Sequence, residues 1–141
     1  MISKESTVKK IQKEISSQKY DEAIRLIERN KRDLVEIDYW YYLSLCSRYS
    51  KKYNEALAIL NNVIKIDPSY ARAYQEFGHN YFKLNNYKMS LKSYLRAVRY
   101  NPTLHASWLG ILGIKNVEQK IIDLATQNVL YLKNLPPELK S

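Results

Sequence analysis

Residues 69–102 read SYARAYQEFGHNYFKLNNYKMSLKSYLRAVRYNP, and this stretch decides the fold. Apolar residues recur at helical spacing on both sides of Asn85-Asn86, which predicts two short helices joined by a tight turn. The preceding helix is expected to end at Asp67-Pro68, because proline disfavours helical dihedrals in the residue before it. Ser69 has the side chain that a helix N-cap favours, so the next helix is expected to begin just after it.

The pattern of this stretch recurs along the chain. The segments YDEAIRLI (20–27), YNEALAIL (53–60) and YKMSLKSY (87–94) superpose at spacings of 33 and 34 residues. IKIDPSYARAY (64–74) and VRYNPTLHASW (98–108) superpose at a spacing of 34 residues. A repeat of this length made of two helices is typical of a helical solenoid, whose stacked neighbours bury one continuous core. We therefore expect an all-α protein built from antiparallel helix pairs.

Small residues and aromatic residues occupy set places in these repeats. Gly78 and Ser90 would let two helices cross closely, while Tyr74 and Tyr94 would fill the space beside them. With Pro102 after the second helix, this pattern resembles the tetratricopeptide-repeat family. The resemblance implies one domain that forms a right-handed superhelical solenoid. Its parts would be repeats at about 4–36, 37–70 and 71–104, a capping helix pair at about 104–134 and a tail at 135–141.

A narrower resemblance covers residues 70–139. Gln75-Glu76 before Phe77-Gly78-His79, Ala106-Ser107-Trp108, and the closing residues 135–139 are similar to the repeat region that precedes the catalytic domain of bacterial tetratricopeptide-repeat sulfotransferases. The sequence ends at Ser141 without such a domain, and it has no glycine-rich phosphate-binding loop. This resemblance implies, as one alternative, a repeat module appended to or derived from a sulfotransferase.

Composition excludes several classes of protein. No apolar run reaches the roughly 18 residues that a membrane-spanning helix needs. Cys46 is the single cysteine, so neither a disulfide framework nor a cysteine metal site is expected within one chain, and a reducing cytoplasm is the expected location. The formal net charge of +9 favours acidic partners, whether peptides, nucleic acid or anionic membrane.

No constellation of catalytic residues is recognisable. His79 and His105 are the two histidines, and neither stands in a cluster with metal-ligand spacing. Cys46 lies in the most apolar predicted helix, where a small buried hydrophobic side chain is expected rather than a nucleophile. We therefore expect a protein that is not an enzyme and that holds no cofactor and no metal.

The first helices of stacked pairs line a concave surface, and this surface is the expected partner groove. Tyrosine and arginine are favoured where a protein partner is bound, and helical spacing places one stripe of each first helix towards the groove. The predicted groove residues are Tyr41, Tyr42, Arg48, Tyr49, Arg72, Gln75, Glu76, His79, Phe82 and Lys83. The pattern leaves open that Tyr41, Tyr42 and Phe82 are partly core or merely exposed. We expect a protein or peptide partner here.

The second helix of the third repeat offers a rival surface. Lys88, Lys92, Arg96 and Arg99 follow one another at i, i+4, i+8 and i+11 and form one basic stripe. No acidic residue occurs between Glu76 and Glu118. The stripe is either a solvated outer face or a site for nucleic acid or an anionic surface, whose binding would weaken steeply with salt. The sequence does not predict the oligomeric state.

Overall fold

The computed structural model describes residues 4–139, and all regular elements of this range are helical. Eight α-helices follow one another within it. They are α1 (Lys4–Ser16), α2 (Tyr20–Arg29), α3 (Glu36–Tyr49), α4 (Tyr53–Ile66), α5 (Ala71–Lys83), α6 (Tyr87–Tyr100), α7 (His105–Leu112) and α8 (Gln119–Lys133). A single 3-10 turn, Pro137–Leu139, follows. The predicted all-α class is confirmed, and the helices form four consecutive pairs of contacting neighbours.

The helix α2 ends at Arg29, where the side-chain amide of Asn30 donates to the carbonyl oxygen of Leu26 at 2.8 Å. The same carbonyl oxygen also accepts from the backbone amide of Asn30 at 3.2 Å, so side chain and backbone of Asn30 both bond to the last turn of the helix. Ser69 is not the N-cap of α5, because the helix begins one residue later and Tyr70 holds the capping position with an extended backbone and no side-chain bond.

The turns inside the first three helix pairs share one backbone geometry. Gln18, Lys51 and Asn85 have φ values of 61°, 64° and 61°, in the left-handed region. In the second pair, the amide of Lys52 donates to the carbonyl oxygen of Ser47 at 2.8 Å, and that of Lys51 donates to Arg48 at 2.9 Å. Equivalent bonds occur in the other two turns, and together they form the Schellman motif that ends many helices. The predicted break at Asn85-Asn86 is therefore a helix stop, with Asn86 as the N-cap of α6.

The chain divides into two compact units, Met1–Pro68 and Ser69–Ser141, each holding two helix pairs. In the first unit the aliphatic and aromatic faces of α1, α2 and α3 converge on one core. Its buried members are Ile11, Ala23, Ile27, Leu34, Tyr39 and Cys46. The second unit has its own core, made by α6, α7, α8 and the α7–α8 connection. Its buried members are Tyr94, Val98, Trp108, Ile111, Ile114, Val117 and Ala125.

Tyr94 is the centre of the second unit. Its ring lies against the backbone of both Gly78 in α5 and Gly110 in α7, so closely that a Cβ atom at either glycine would overlap the ring. Ser90, one turn earlier on α6, donates its hydroxyl to the carbonyl oxygen of Gly78 at 2.8 Å. Gly78 and Ser90 thus act as the small crossing residues that the sequence predicted. The part played by Gly110 had no signal in the repeat pattern.

Candidate partner-binding surfaces

Two of the predicted groove residues are buried. Tyr41 in α3 is 8% exposed, and Glu76 in α5 is 3% exposed. Side chains buried to this degree offer almost no surface to a partner. Phe82 is half-buried and packs against the core of the second unit. This position fits the alternative prediction that Phe82 is partly core.

The remaining predicted residues of the first unit are Tyr42 at the middle of α3 and Arg48 and Tyr49 at its C-terminal end. Tyr49 is exposed, and its ring stacks on that of Tyr20 with centroids 5.5 Å apart and planes 7° from parallel. The guanidinium of Arg48 lies 4.4 Å from the centroid of the Tyr49 ring. Tyr42 is half-buried and its hydroxyl accepts from the side-chain amide of Gln12 at 2.9 Å. These contacts hold a partly exposed aromatic and cationic surface in place.

The predicted residues of α5 divide into exposed cations and polar groups with fixed partners. Arg72 and Lys83 are exposed. Gln75 is half-buried, and its carbonyl oxygen accepts from the hydroxyl of Ser107 in α7 at 2.7 Å. Nδ1 of His79 lies 2.6 Å from the hydroxyl of Tyr94. Because α5 residues 72, 79 and 83 recur at about the helical period, these three side chains share one face of the helix.

The four predicted residues of the basic stripe are all exposed and lie on one face of α6. Arg96 has one further contact: its guanidinium carbon lies 5.3 Å from the centroid of the Tyr74 ring in α5. The ring of Tyr100, which is 45% exposed, packs against Tyr74 at 5.6 Å between centroids. The stripe therefore ends beside an exposed aromatic ring, which the sequence did not indicate.

The last helix pair exposes more apolar surface than the sequence predicted for a capping pair. Capping helices present a polar outer face. Here large apolar side chains on both α7 and α8 are exposed, and the 3-10 turn adds another. They are Leu109, Leu112, Leu124, Leu130, Tyr131 and Leu139. A signal for this surface was present in α7, whose sequence HASWLGIL is almost entirely apolar around the helix.

The cysteine and the histidine outside the predicted groove have structural places. Cys46 is fully buried, and burial raises the pKa of its thiol to about 11, so the reactive thiolate is disfavoured. His105 is exposed as the first residue of α7. Across residues 4–139, no group of three or more potential ligands could hold a metal ion. In the same range, none of the helices combines the length and apolarity of a membrane span.

Repeated helix pairs with left-handed turns and small crossing residues define a helical repeat protein. The family model for the tetratricopeptide repeat matches residues 37–70 and 71–104, so these two helix pairs are tetratricopeptide repeats. The first and fourth helix pairs lie outside the matched residues. The two matched repeats are the ones in which the sequence pattern of small and aromatic residues is most complete.

Comparison with curated proteins gives a similar relative that is much longer. The chain is 29% identical over 72 residues to anaphase-promoting complex subunit 3 of Schizosaccharomyces pombe. The match spans 51% of this chain but only 11% of that subunit. It therefore supports the repeat family, which is one of interaction modules rather than enzymes. These matches give no support to the narrower resemblance to sulfotransferase repeat regions.

Solved structures show the same fold at low sequence identity. A double mutant of MamA from strain RS-1 has a TM-score of 0.72 and 18% identity, covering 92% of this chain and 74% of that one. A fragment of MamA from Desulfovibrio magneticus RS-1 has a TM-score of 0.68 and 18% identity, covering 99% of this chain and 78% of the fragment. At this identity the likeness concerns the fold alone.

Proposed function

We propose that the chain is an interaction module that binds a protein or peptide partner along the outward face of α5, the face that carries Arg72, His79 and Lys83. The observation that carries the proposal is the row of Arg72, His79 and Lys83 on one face of a helix within a matched repeat. Two of these side chains are exposed cations, and the third is a half-buried histidine. Such a row suits a segment that carries carboxylates, because arginine and lysine form charge-assisted hydrogen bonds with them.

Hydrogen bonds from neighbouring helices support this surface by orienting its polar groups. Gln75 is held by Ser107 of α7, and His79 is held by Tyr94 of α6. Because these side chains are already ordered, binding a partner would cost less conformational entropy than it would with free side chains. With its carbonyl oxygen engaged, Gln75 presents its amide NH₂ group as the hydrogen-bond donor. This geometry favours an extended peptide whose backbone carbonyls could accept such bonds.

The first unit offers a comparable surface near the end of α3. Arg48 and Tyr49 carry the exposed portion of the groove predicted there, and the stack with Tyr20 fixes the ring of Tyr49. Tyrosine and arginine contribute strongly to binding energy when a partner excludes water from them. We propose that this face also contacts protein partners. It requires no contribution from the buried side chain of Tyr41.

The test is a peptide selection on the full chain followed by variants of α5. A peptide selected from a displayed random library is labelled, and its affinity is measured by fluorescence anisotropy. Reversing the two exposed cations with Arg72→Glu and Lys83→Glu should weaken binding by about tenfold or more if the peptide contacts them. The matched control, Lys92→Glu with Arg96→Glu, reverses two cations on the other helix of the same repeat and should leave the affinity within about twofold.

Circular dichroism shows that each variant is folded before the affinities are compared. Equal binding of the selected peptides to the wild type and the α5 variant would refute the proposal. The same conclusion would follow if the α6 control lost affinity instead, because the peptide would then bind the second helix of the repeat.

A further inference from the structure

The basic stripe of α6, Lys88, Lys92, Arg96 and Arg99, is a regular array on a rigid element. All four side chains are exposed, and α6 is a continuous helix from Tyr87 to Tyr100. Steps of four, four and three residues correspond to rises of about 6, 6 and 4.5 Å along the helix axis. The charges therefore stand in one row about 16 Å long. A second helix that carries carboxylates at steps of three and four residues presents the same spacing.

These cations have no internal counter-charge. In the first unit, by contrast, two surface cations pair with nearby acids: Lys9 lies 3.6 Å from Glu5, and Arg25 pairs with Glu22. None of the four stripe residues makes an ion pair with a carboxylate of the described residues. The sequence explains the difference, because positions 77–117 contain no aspartate or glutamate. Their positive potential is therefore left for a partner to neutralise.

One end of the stripe is organised for a planar anion. The cation–π contact with the Tyr74 ring limits the freedom of the Arg96 guanidinium, which can form two parallel hydrogen bonds with a carboxylate. Tyr100 beside it exposes 45% of its surface and would contact apolar atoms of a partner at this end. Arginine and tyrosine, which lie side by side here, are two of the residue types enriched in protein interfaces.

The same geometry argues for a peptide rather than a nucleic-acid strand. Single-stranded nucleic acid is bound where aromatic rings are spaced along a basic groove, so that successive bases can stack. Tyr100 is the exposed ring at one end of the stripe, and Tyr87, at the other end, lies about a quarter-turn around the helix from Lys88. Between them the stripe carries cations alone. Bases would therefore gain little stacking, whereas carboxylates on a helix would pair along its whole length.

We propose that the α6 stripe is a docking surface for an acidic helical segment of a protein partner. The carboxylates of that segment would recur at steps of three and four residues and pair with the four cations in turn. This surface is separate from the outward face of α5, so the proposal does not rest on the function proposed above. The two surfaces lie on the two helices of one repeat and could be occupied by different segments.

The test uses the full chain and a labelled alanine-based helical peptide with four glutamates at steps of four, four and three residues. A composition-matched peptide carries its glutamates spread around the helix, and a short oligouridylate serves as the nucleic-acid probe. Affinities are measured by fluorescence anisotropy at low and physiological ionic strength. Salt screens the attraction between the glutamates and the exposed cations of α6. We therefore expect the peptide with aligned glutamates to bind at low salt and to lose about tenfold in affinity at physiological salt.

Charge reversals locate the site. Lys92→Glu with Arg96→Glu should reduce the affinity for the aligned peptide by about tenfold or more. The matched control, Lys9→Glu with Lys13→Glu, makes the same change of net charge at i, i+4 on α1 and should change the affinity by less than about twofold. Lys88→Gln with Lys92→Gln is a milder second variant, and it should give an intermediate loss.

Several outcomes would overturn the proposal. The absence of binding at low salt would do so, and so would equal binding of the two peptides, which would show general attraction to negative charge. Tighter binding of oligouridylate with the same dependence on Lys92 and Arg96 would assign the stripe to nucleic acid instead. Equal losses in the α6 and α1 variants would show that net charge alone decides. A loss of affinity for the aligned peptide that occurs only in the α5 variant, Arg72→Glu with Lys83→Glu, would support the function proposed above and refute this one.

Discussion

The contact between Tyr94 and two glycines permits a stability test with an internal control. The chain has three glycines, Gly78, Gly110 and Gly113, and each can be replaced by alanine. A Cβ atom at Gly78 would lie 2.5 Å from Cδ1 and Cε1 of Tyr94, and one at Gly110 would overlap Cζ and Cε2 of the same ring. At Gly113 the nearest atom would be a backbone oxygen at 3.4 Å, close to an ordinary contact.

The expected free energies follow from two opposing terms. Replacing glycine by alanine inside a helix gains about 1 kcal/mol from the lower conformational entropy of the unfolded chain and the better helix propensity. Forcing the buried ring to retreat by about 1 Å compresses a packed core, and overpacking of this kind costs about 1–3 kcal/mol. Tyr94 is 3% exposed and packs with Trp108 and Ile111, so the ring has little space to move. The cost of overpacking should therefore lie at the upper end of that range.

We expect Gly78→Ala and Gly110→Ala to lower the free energy of unfolding by about 1–2 kcal/mol each. Gly113→Ala should instead be neutral or stabilising by about 0.5 kcal/mol, because its φ of −81° suits any residue. The measurement is urea denaturation followed by circular dichroism. In a Tyr94→Leu background, which lacks the ring, Gly78→Ala should lose its penalty and become neutral or stabilising. A Gly78→Ala variant as stable as the wild type in the presence of Tyr94 would refute the close approach of the ring.

Three further predictions concern single side chains. Lys51→Gly should stabilise the chain by about 1 kcal/mol in urea denaturation, because glycine adopts a φ of 64° without strain. Lys51→Ala should leave the free energy of unfolding unchanged. Equal effects of the two changes would contradict the left-handed turn. The raised pKa of Cys46 favours the folded chain below pH 9, and this stabilisation is lost as the pH rises towards the folded pKa of about 11. Between pH 8 and 10.5 the wild type should therefore lose about 2 kcal/mol more than Cys46→Ala in urea denaturation, and parallel losses would show that the thiol does not titrate differently on folding. Tyr94→Phe removes the hydroxyl beside His79 and should lower the free energy of unfolding by about 1 kcal/mol. Tyr87→Phe removes an exposed hydroxyl that bonds to Asn85, and it should cost less than about 0.5 kcal/mol. The reverse order would contradict a structural role for the Tyr94–His79 contact.

The sequence predicted the helices well because their signals are local. Proline after Asp67 marked the end of α4, and Asn85-Asn86 marked the break between α5 and α6. The left-handed geometry of the turns at Gln18 and Lys51 was not predicted. Glycine or asparagine normally marks such a position, and at Gln18 and Lys51 the Schellman hydrogen bonds hold the backbone there without that help.

The candidate site was harder to predict, because exposure depends on which neighbours cover a residue. Tyr41 and Tyr42 are adjacent tyrosines in one helix, yet the first is buried and the second half-buried with Gln12 as its partner. Glu76 was assigned to the groove by helical spacing, but it is 3% exposed. Arg72 and Lys83 were assigned to the groove by the same spacing and are exposed. Helical spacing divides residues among faces, but it does not show which face is covered.

The sequence alone determined the helical repeat, its period of 33–34 residues and the row of cations on α6, because each depends on residue type and spacing along one element. Tertiary structure decided which small residues carry the crossing of the helices. Gly110 has no counterpart in the repeat pattern, and its importance appears only where the ring of Tyr94 reaches α7. Tertiary structure also joined Gln75 to Ser107 and His79 to Tyr94, since hydrogen bonds between helices depend on distances that no local pattern encodes.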